Sequence, residues 1–524
     1  MACAASLLLL CASQAIAQSP RSQPPAPVRF EIQRYLVEGN TLLSQNELDK
    51  ILKPFAGRDR DFGDIQRAQE ALQDAYGSRG YSAVRVSVPE QDIRAGAVRL
   101  RVVEARIRRV RVQGNRFFSE NNVMASLPSL KEGSSPNTRA IGKDAQLVNE
   151  NPSKQVSVAF QAADDPGQVD ATVTVTDENP SKISAYVDNT GTPSTGNYRV
   201  GAGYQNANLF NGDDVLNFQA ITSPGHASDV KIFGVGYRVP LYKWGGVVDA
   251  LAGYSSVNSG TVQGLFNVSG SGNVFGLRYT HLLGRFETYE HRASIGLDYR
   301  AYKNNVNPLD SSEELVPDIT VHPVSIAYLG RFSRAGRDLS FNISYSQNIP
   351  GGKNGDQAAF DAQRPGASAS YGVSRGSVAF SQLLPADFIV RALANTQQTR
   401  DLLIPGEQFG MGGVDSVRGY YEREVANDTG WRASLETYSP DFGARMGNWR
   451  ARALVFADAA RGRDNSPPRD PAQPDNKLGS FGLGVRASQG KAFALRLDVA
   501  RVTQDAGTRV KGDTRVHFAA AYSF

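Results

Sequence analysis

The chain has 524 residues, 57 of them basic and 52 acidic, giving a net charge of +5. The length allows more than one domain, and so small a charge excess makes no case for a nucleic-acid partner. Mean hydropathy is −0.36, and no apolar run reaches the roughly 20 residues that a transmembrane helix needs.

The first element is "ASLLLLCASQAIAQ", a short apolar stretch ending in Ala15-Ile16-Ala17 before Gln18. This small-x-small ending reads as a secretory signal peptide over residues 1–17. No Lys or Arg precedes the apolar run, as expected if the true start codon lies upstream. Cys11 follows Leu10, where a lipoprotein site would have a small residue. Both cysteines, Cys3 and Cys11, fall in this stretch. A disulfide scaffold, thiolate metal sites and a cysteine nucleophile are therefore excluded for the mature chain. Residues 18–28, "QSPRSQPPAPV", form a proline-rich linker.

A repeat follows. "FEIQRYLVEGN" (30–40) and "RIRRVRVQGN" (106–115) are alternating strands ending in Gly-Asn, with Gly39 and Gly114 75 residues apart. That period is the length of a small domain. After the first strand, Ser44 and Glu47 have the spacing of a capping box opening a helix over 44–57. A second helix over 64–80 has Ile65, Ala68, Leu72, Ala75 and Tyr76 on one face. "YSAVRVSVPE" and "AVRLRVVEA" complete a β-α-α-β-β unit over residues 29–104. The order recurs over 105–178, with helices near 119–127 and 138–149 and strands "KQVSVAFQ" and "QVDATVTVTDE".

From residue 180 to 524 helical periodicity disappears. Sixteen candidate strands begin near 181, 197, 213, 229, 246, 273, 289, 318, 337, 367, 387, 430, 448, 477, 492 and 514. In "AFALRLDVAR", Phe493, Leu495, Leu497 and Val499 share one face, with Arg496 and Asp498 on the other. A soluble sheet also alternates, but this series leaves no helices to cover it, and strands of about ten residues cross a bilayer when tilted. Lipid forbids open edges, so the sheet closes. The expected fold is mainly β: a 16-stranded antiparallel transmembrane β-barrel preceded by two α+β units. The last strand, "VHFAAAYSF", places Val516, Phe518, Ala520, Tyr522 and Phe524 on its outer face and pairs with the first.

Two such units before such a barrel resemble POTRA domains, and the whole resembles a two-partner secretion transporter (TpsB) of the ShlB/FhaC/HecB haemolysin-secretion type. Three stretches carry the resemblance. "NENPSKQVSVAFQAADDPGQVDATVTV" (149–175) is similar to the family's second POTRA domain. "GGVDSVRGYYE" (412–422), in a long loop over 406–429 between the eleventh and twelfth strands, matches the family's loop tip at Val417, Arg418, Gly419 and Tyr420. "FADAA" (456–460) in the thirteenth strand matches Phe-x-Asp-x-Gly at Phe456 and Asp458, with Ala460 in place of the glycine. The missing glycine puts close backbone approach there in question.

An arginine on an extracellular loop is ordinarily a solvated charge. This loop, however, carries Gly410, Gly412, Gly413 and Gly419 and could fold back into the lumen, onto which the face bearing Phe456 and Asp458 points. An arginine brought to Asp458 would form a charge-assisted pair in a confined site; the family implies this contact, whereas the spacing only permits it. Glu436, on the inward face of the twelfth strand, is a second candidate partner. By resemblance, Phe518, Tyr522 and Phe524 carry the C-terminal signal read by the barrel-assembly machinery.

The resemblance implies an outer-membrane protein with POTRA domains in the periplasm. Sheet edges there would capture an unfolded exoprotein of adhesin or haemolysin type by strand addition. The alternatives are an assembly factor of the same superfamily, which usually has more POTRA domains, and a passive porin, which has none. Many such transporters carry a plug helix ahead of the first POTRA domain; the prolines of 18–28 argue against one here. Histidines 226, 281, 291, 322 and 517 are scattered, and no phosphate loop occurs. No enzyme activity, cofactor or metal is expected.

Overall fold

The computed structural model describes residues 28–93, 96–193, 195–257, 271–303, 318–465 and 475–524, with two short strands, Gly260–Val262 and Phe266–Val268. Residues 1–27 lie outside that range, and with them the expected signal peptide, the question of a plug helix and most of the linker. The chain divides into two compact units, 1–105 and 106–524.

In the first unit, strands Arg34–Glu38, Ala97–Val103 and Arg85–Ser87 form a sheet in that spatial order. Helices Gln45–Leu52 and Phe62–Ser78 cover one face. The first helix opens on the expected box: the Glu47 carboxylate accepts from the Ser44 N–H at 3.0 Å. The second begins at Phe62, earlier than expected, because Asp61 caps it by accepting the Asp64 N–H at 3.0 Å. Leu48, Leu52, Ala68, Leu72 and Tyr76 bury against Val84, Val86, Leu100 and Val102. Each such large aliphatic side chain contributes about 1.5–3 kcal/mol. The single strand expected over 30–40 is broken: Phe30–Ile32 turns aside to pair with Gly57–Arg60.

The second unit opens with the same grammar. Strands Arg106–Gln113, Gln168–Asp177 and Lys154–Ala162 form a sheet in that order, covered by helices Glu120–Ala125 and Thr138–Val148. The Gly-Asn repeat has a physical cause. Gly39 and Gly114 have φ of +85° and +86°, and a Cβ would lie 2.3 Å from Val102 O and 2.4 Å from Val175 O. Only glycine fits such a backbone so close to a neighbouring strand. An acidic residue then holds each turn: Glu104 accepts the Leu42 N–H at 3.0 Å, and Asp177 accepts the Phe117 N–H at 2.8 Å.

The rest of this unit is a closed antiparallel barrel. Its strands are β1 (Ser181–Asp188), β2 (Arg199–Asn206), β3 (Val215–Thr222), β4 (Lys231–Leu241), β5 (Gly246–Ser255), β6 (Ser271–Phe286), β7 (Tyr289–Lys303), β8 (Pro323–Arg334), β9 (Arg337–Asn348), β10 (Gly372–Leu383), β11 (Ile389–Gln398), β12 (Thr429–Tyr438), β13 (Trp449–Arg463), β14 (Asn476–Gln489), β15 (Phe493–Val502) and β16 (Thr514–Ser523). A three-residue extension, Ile319–Val321, pairs with β7 ahead of β8. Leu435, Val455, Phe481, Leu483 and Val499 are exposed on the outer face, while Glu436, Asp458 and Asp498 are buried on the inner face.

Closure falls between β16 and β1, paired from Ala519↔Asp188 to Ser523↔Ser184. The Phe524 N–H donates to Ile183 O at 2.8 Å, so the last residue completes the seam. Phe518 and Tyr522 lie opposite Leu497 and Phe493 on the outer face, and Phe524 is 75% exposed.

The α/β part of this unit is fixed to the barrel. Lys154 Nζ, wholly buried, donates to Asn122 Oδ1 at 2.8 Å and to both oxygens of Asp213, at 2.7 and 2.6 Å, in the turn between β2 and β3. The Tyr242 hydroxyl, from the next turn on that side, also donates to Asp213. Leu147 packs on Val247 and Leu282 of the barrel, and Glu150 pairs with Arg292 of β7 at 2.7 Å.

Candidate functional site

The connection from β11 to β12 runs from 399 to 428, longer than the expected 406–429, because its stems pair as a hairpin, Phe409–Met411 with Val425–Asn427. It folds into the lumen. The Arg418 side chain is 2% exposed. Its Nε and Nη2 donate to the two oxygens of Asp458, each at 2.7 Å, a bidentate pair, and its backbone N–H also reaches Asp458 Oδ2 at 3.1 Å. Nη1 donates to Glu436 Oε1 at 2.8 Å and Nη2 to Ser434 Oγ at 3.0 Å. The guanidinium stands 3.4 Å from the centre of the Phe456 ring, a cation–π contact.

The rest of the tip is as firmly held. The Gly419 N–H donates to His517 Nε2 of β16 at 2.8 Å, and Gly419 has φ +96°. The Tyr420 hydroxyl donates to Gln504 O at 2.6 Å. Val417 and Tyr420 bury against Met411, Ala460, Leu478 and Val502. Ala460 thus fits where a glycine was expected, its methyl filling part of this cluster. Gly412 and Gly413 serve the packing of the loop. Both have positive φ, and a Cβ on Gly412 would lie 2.6 Å from Tyr421 O, so they allow the two limbs of the loop to close on each other.

Several partners of this network escaped the sequence. Asp498 of β15 lies 3.6 Å from Arg418 and binds Arg486 and Arg496, each at 2.9 Å. Arg496 in turn pairs with Asp415 of the loop at 2.6 Å. Three guanidiniums (Arg418, Arg486, Arg496) therefore share four carboxylates (Asp458, Glu436, Asp498 and Asp415), so each of these charges has an opposite charge beside it. His517 was visible only as a polar residue on the inner face of the last strand. The arrangement can hold a loop in place; among the described residues no His, Cys, Asp or Glu cluster is placed to hold a metal ion.

The sheet edges of the two α/β domains are unequally open. In the first, Gln69 and Gln73 of the long helix bind Val84 O, Val86 O and the Val86 N–H, closing the edge at Arg85–Ser87. In the second, Gly133, Ser134 and Glu132 close the edge of Arg106–Gln113 at Ile107 and Val110. Asn149 closes Lys154–Ala162 at Val156. Past Asn149, the outward backbone groups of Val158 and Phe160 have no hydrogen-bond partner among the described residues, nor have those of Tyr35 and Val37 in the first domain.

Residues 167–487 match the family model of the haemolysin secretion/activation protein ShlB/FhaC/HecB, and residues 30–105 match the ShlB-type POTRA domain. The chain belongs to the ShlB/FhaC/HecB family. It is an outer-membrane transporter of two-partner secretion, with its POTRA domains in the periplasm. It is 24% identical over 426 residues to the outer membrane transporter CdiB of Escherichia coli, covering 76% of this chain and 67% of the relative. It is 22% identical over 494 residues to the heme/hemopexin transporter protein HuxB of Haemophilus influenzae, covering 89% and 82%. The solved structure of CdiB from Escherichia coli superposes with a TM-score of 0.75 at 19% identity, over 97% of this chain and 93% of that one. Alternate turns of the antiparallel barrel, β2–β3, β4–β5 and so on to β14–β15, are therefore periplasmic, and the Arg418 loop is an extracellular loop turned inward.

Proposed function

We propose that this transporter exports one large exoprotein, of adhesin or haemolysin type, as an unfolded chain threaded through the barrel. Residues 29–104 and 105–178 serve as the two POTRA domains that receive it, and 180–524 as the pore. The client adds as a strand to the open edges at Val158 and Phe160 and at Tyr35 and Val37, which read main chain rather than sequence. The Val417-Arg418-Gly419-Tyr420 tip, seated on Asp458, Glu436 and Phe456, acts as the gate or its scaffold. Phe518, Tyr522 and Phe524 serve as the signal for the barrel-assembly machinery, and the outer face meets outer-membrane lipid. Folding of the client outside supplies the pull.

One observation carries the gate assignment: a buried bidentate arginine pair joins a loop to the lumen wall, where a solvated loop charge would have no partner. The experiment is secretion of the neighbouring large exoprotein with Arg418→Ala at equal barrel abundance. Loss of export from a folded, heat-modifiable barrel is the expected result. Unchanged export would reduce Arg418 to a structural ion pair.

A further inference from the structure

Two buried carboxylates outside the tip network hold the loop at its stems. Glu407, on the descending stem, has a side chain 1% exposed. Arg300 Nη1 of β7 donates to its two oxygens at 2.8 and 3.0 Å, and the Tyr302 hydroxyl donates at 2.7 Å. Gln397 of β11 holds the Glu407 carbonyl at 3.1 Å. Asp428, on the returning stem, has a wholly buried side chain. Arg364 grips it through Nη1 at 2.5 Å and Nη2 at 3.0 Å, and it accepts the Leu403 N–H at 3.0 Å and the Asn465 N–H at 2.9 Å.

Arg364 follows the helix Gln357–Gln363 in the β9–β10 connection. That helix is itself tied to the loop, since Phe360, Ala367, Ala369 and Tyr371 bury with Leu403 and Ile404. The tip and the stems therefore use different walls. The tip is bound to β12, β13, β15 and β16. One stem is bound to β7 and β11, and the other to the β9–β10 connection and the residue just beyond β13. A void of about 530 Å³ lies between the clamped stem and the wall of β5, β6 and β9, bounded by Leu251, Val274, Arg278 and Asn342.

We infer that Glu407 and Asp428 are positioning residues for the gate. They hold the two stems so that the Arg418 tip meets Asp458, and they keep the loop in the lumen independently of the tip. A buried carboxylate held by a guanidinium, with a tyrosine hydroxyl at Glu407 and backbone N–H groups at Asp428, is costly to release, because the charge would be left unpaired. Losing Arg418 alone thus frees the tip but not the loop. The inference rests on the reading of the loop as a gate.

The test uses the full-length transporter in intact cells. External trypsin probes Arg418 and Arg423, and export of the exoprotein is followed in parallel. Glu407→Gln and Asp428→Asn should each make the loop cleavable and lower export from a heat-modifiable barrel. Arg364→Gln, which removes one clamp without touching a barrel strand, covers the case in which either variant fails to assemble. Arg418→Ala should leave the stems protected. The reciprocal exchange Arg364→Asp with Asp428→Arg should restore protection. A loop still protected in Glu407→Gln/Asp428→Asn and in Arg364→Gln would overturn the inference. Cleavage is read without reference to export, so an exposed loop with undiminished export would instead count against the gate reading.

Discussion

Lys154 and Asp213 form a wholly buried ion pair between the second POTRA domain and the first periplasmic turn of the barrel, at 2.6 Å. The lysine has three acceptors, and its ammonium stands 4.9 Å from the centre of the Phe118 ring. Burial pulls the Lys154 pKa down, and the charge of Asp213 opposes that shift. Such a pair fixes orientation more than it adds stability, since two buried charges are expensive unless they find each other.

Removing one partner of this pair should be far worse than removing both. Lys154→Met leaves the buried Asp213 carboxylate without its cation and should cost about 3–5 kcal/mol there. Lys154→Met with Asp213→Leu should recover much of that loss. Limited proteolysis at the 178–181 junction reports the docking. Rapid cleavage in the single variant and slow cleavage in the double is the expected pattern; equal resistance in all three proteins would show that the pair does not set the domain's seat.

Gly39 and Gly114 should tolerate no side chain. Alanine at Gly114 combines a positive φ with a Cβ 2.4 Å from a carbonyl oxygen of the neighbouring strand. The conformational part alone costs on the order of 1–3 kcal/mol, and the clash adds to it. The Gly114→Ala transporter should lose protease resistance between 106 and 177 while the barrel still migrates as a folded species. A wild-type digestion pattern would refute the repeat's structural explanation.

The barrel was legible because its two solvents are written into every strand: apolar residues face lipid, polar and small ones face the lumen, and the period is two. Sixteen strand positions followed from that alternation, and so did the inward face of Asp458. The long-range partners were not legible. Lys154 could be seen as a basic residue after an Asn-Pro turn, but nothing in spacing ties it to Asp213. Asp498 could be assigned to the inner face of its strand, but its part in the Arg418 network depends on which strands closure brings together. The role of the glycines at 412 and 413 was not legible for a related reason. A glycine that allows close approach and one that allows motion are the same letter, and only the neighbouring Tyr421 carbonyl distinguishes them.

His517 should matter through one lone pair. Its Nε2 accepts the buried Gly419 N–H, so His517→Ala leaves that donor without a partner, at a cost of about 1–3 kcal/mol. His517→Gln keeps an acceptor on a side chain of similar reach. The alanine variant should unfold at a lower temperature in the heat-modifiable migration assay, with glutamine intermediate. Identical midpoints for alanine and wild type would mean that Gly419 finds another acceptor.

Asn189 should control the strength of the seam. The β16–β1 ladder is short, ending at Ala519↔Asp188. Just beyond it the Asn189 amide imitates a strand residue: Nδ2 donates to Val516 O at 2.7 Å, and Oδ1 accepts the Phe518 N–H at 2.9 Å. Asn189→Ala removes both bonds at the extracellular end of the closure, each worth about 0.5–1.5 kcal/mol. Asn189→Asp keeps the acceptor but loses the donor and sets a carboxylate against Val516 O. The expected order of midpoint temperature is therefore wild type above alanine, with aspartate no better than alanine. A disulfide joining β1 to β16 should abolish the difference, because the covalent link then does the amide's work. If alanine lowered the midpoint equally with and without that link, Asn189 would be acting on the β1–β2 loop rather than on the seam.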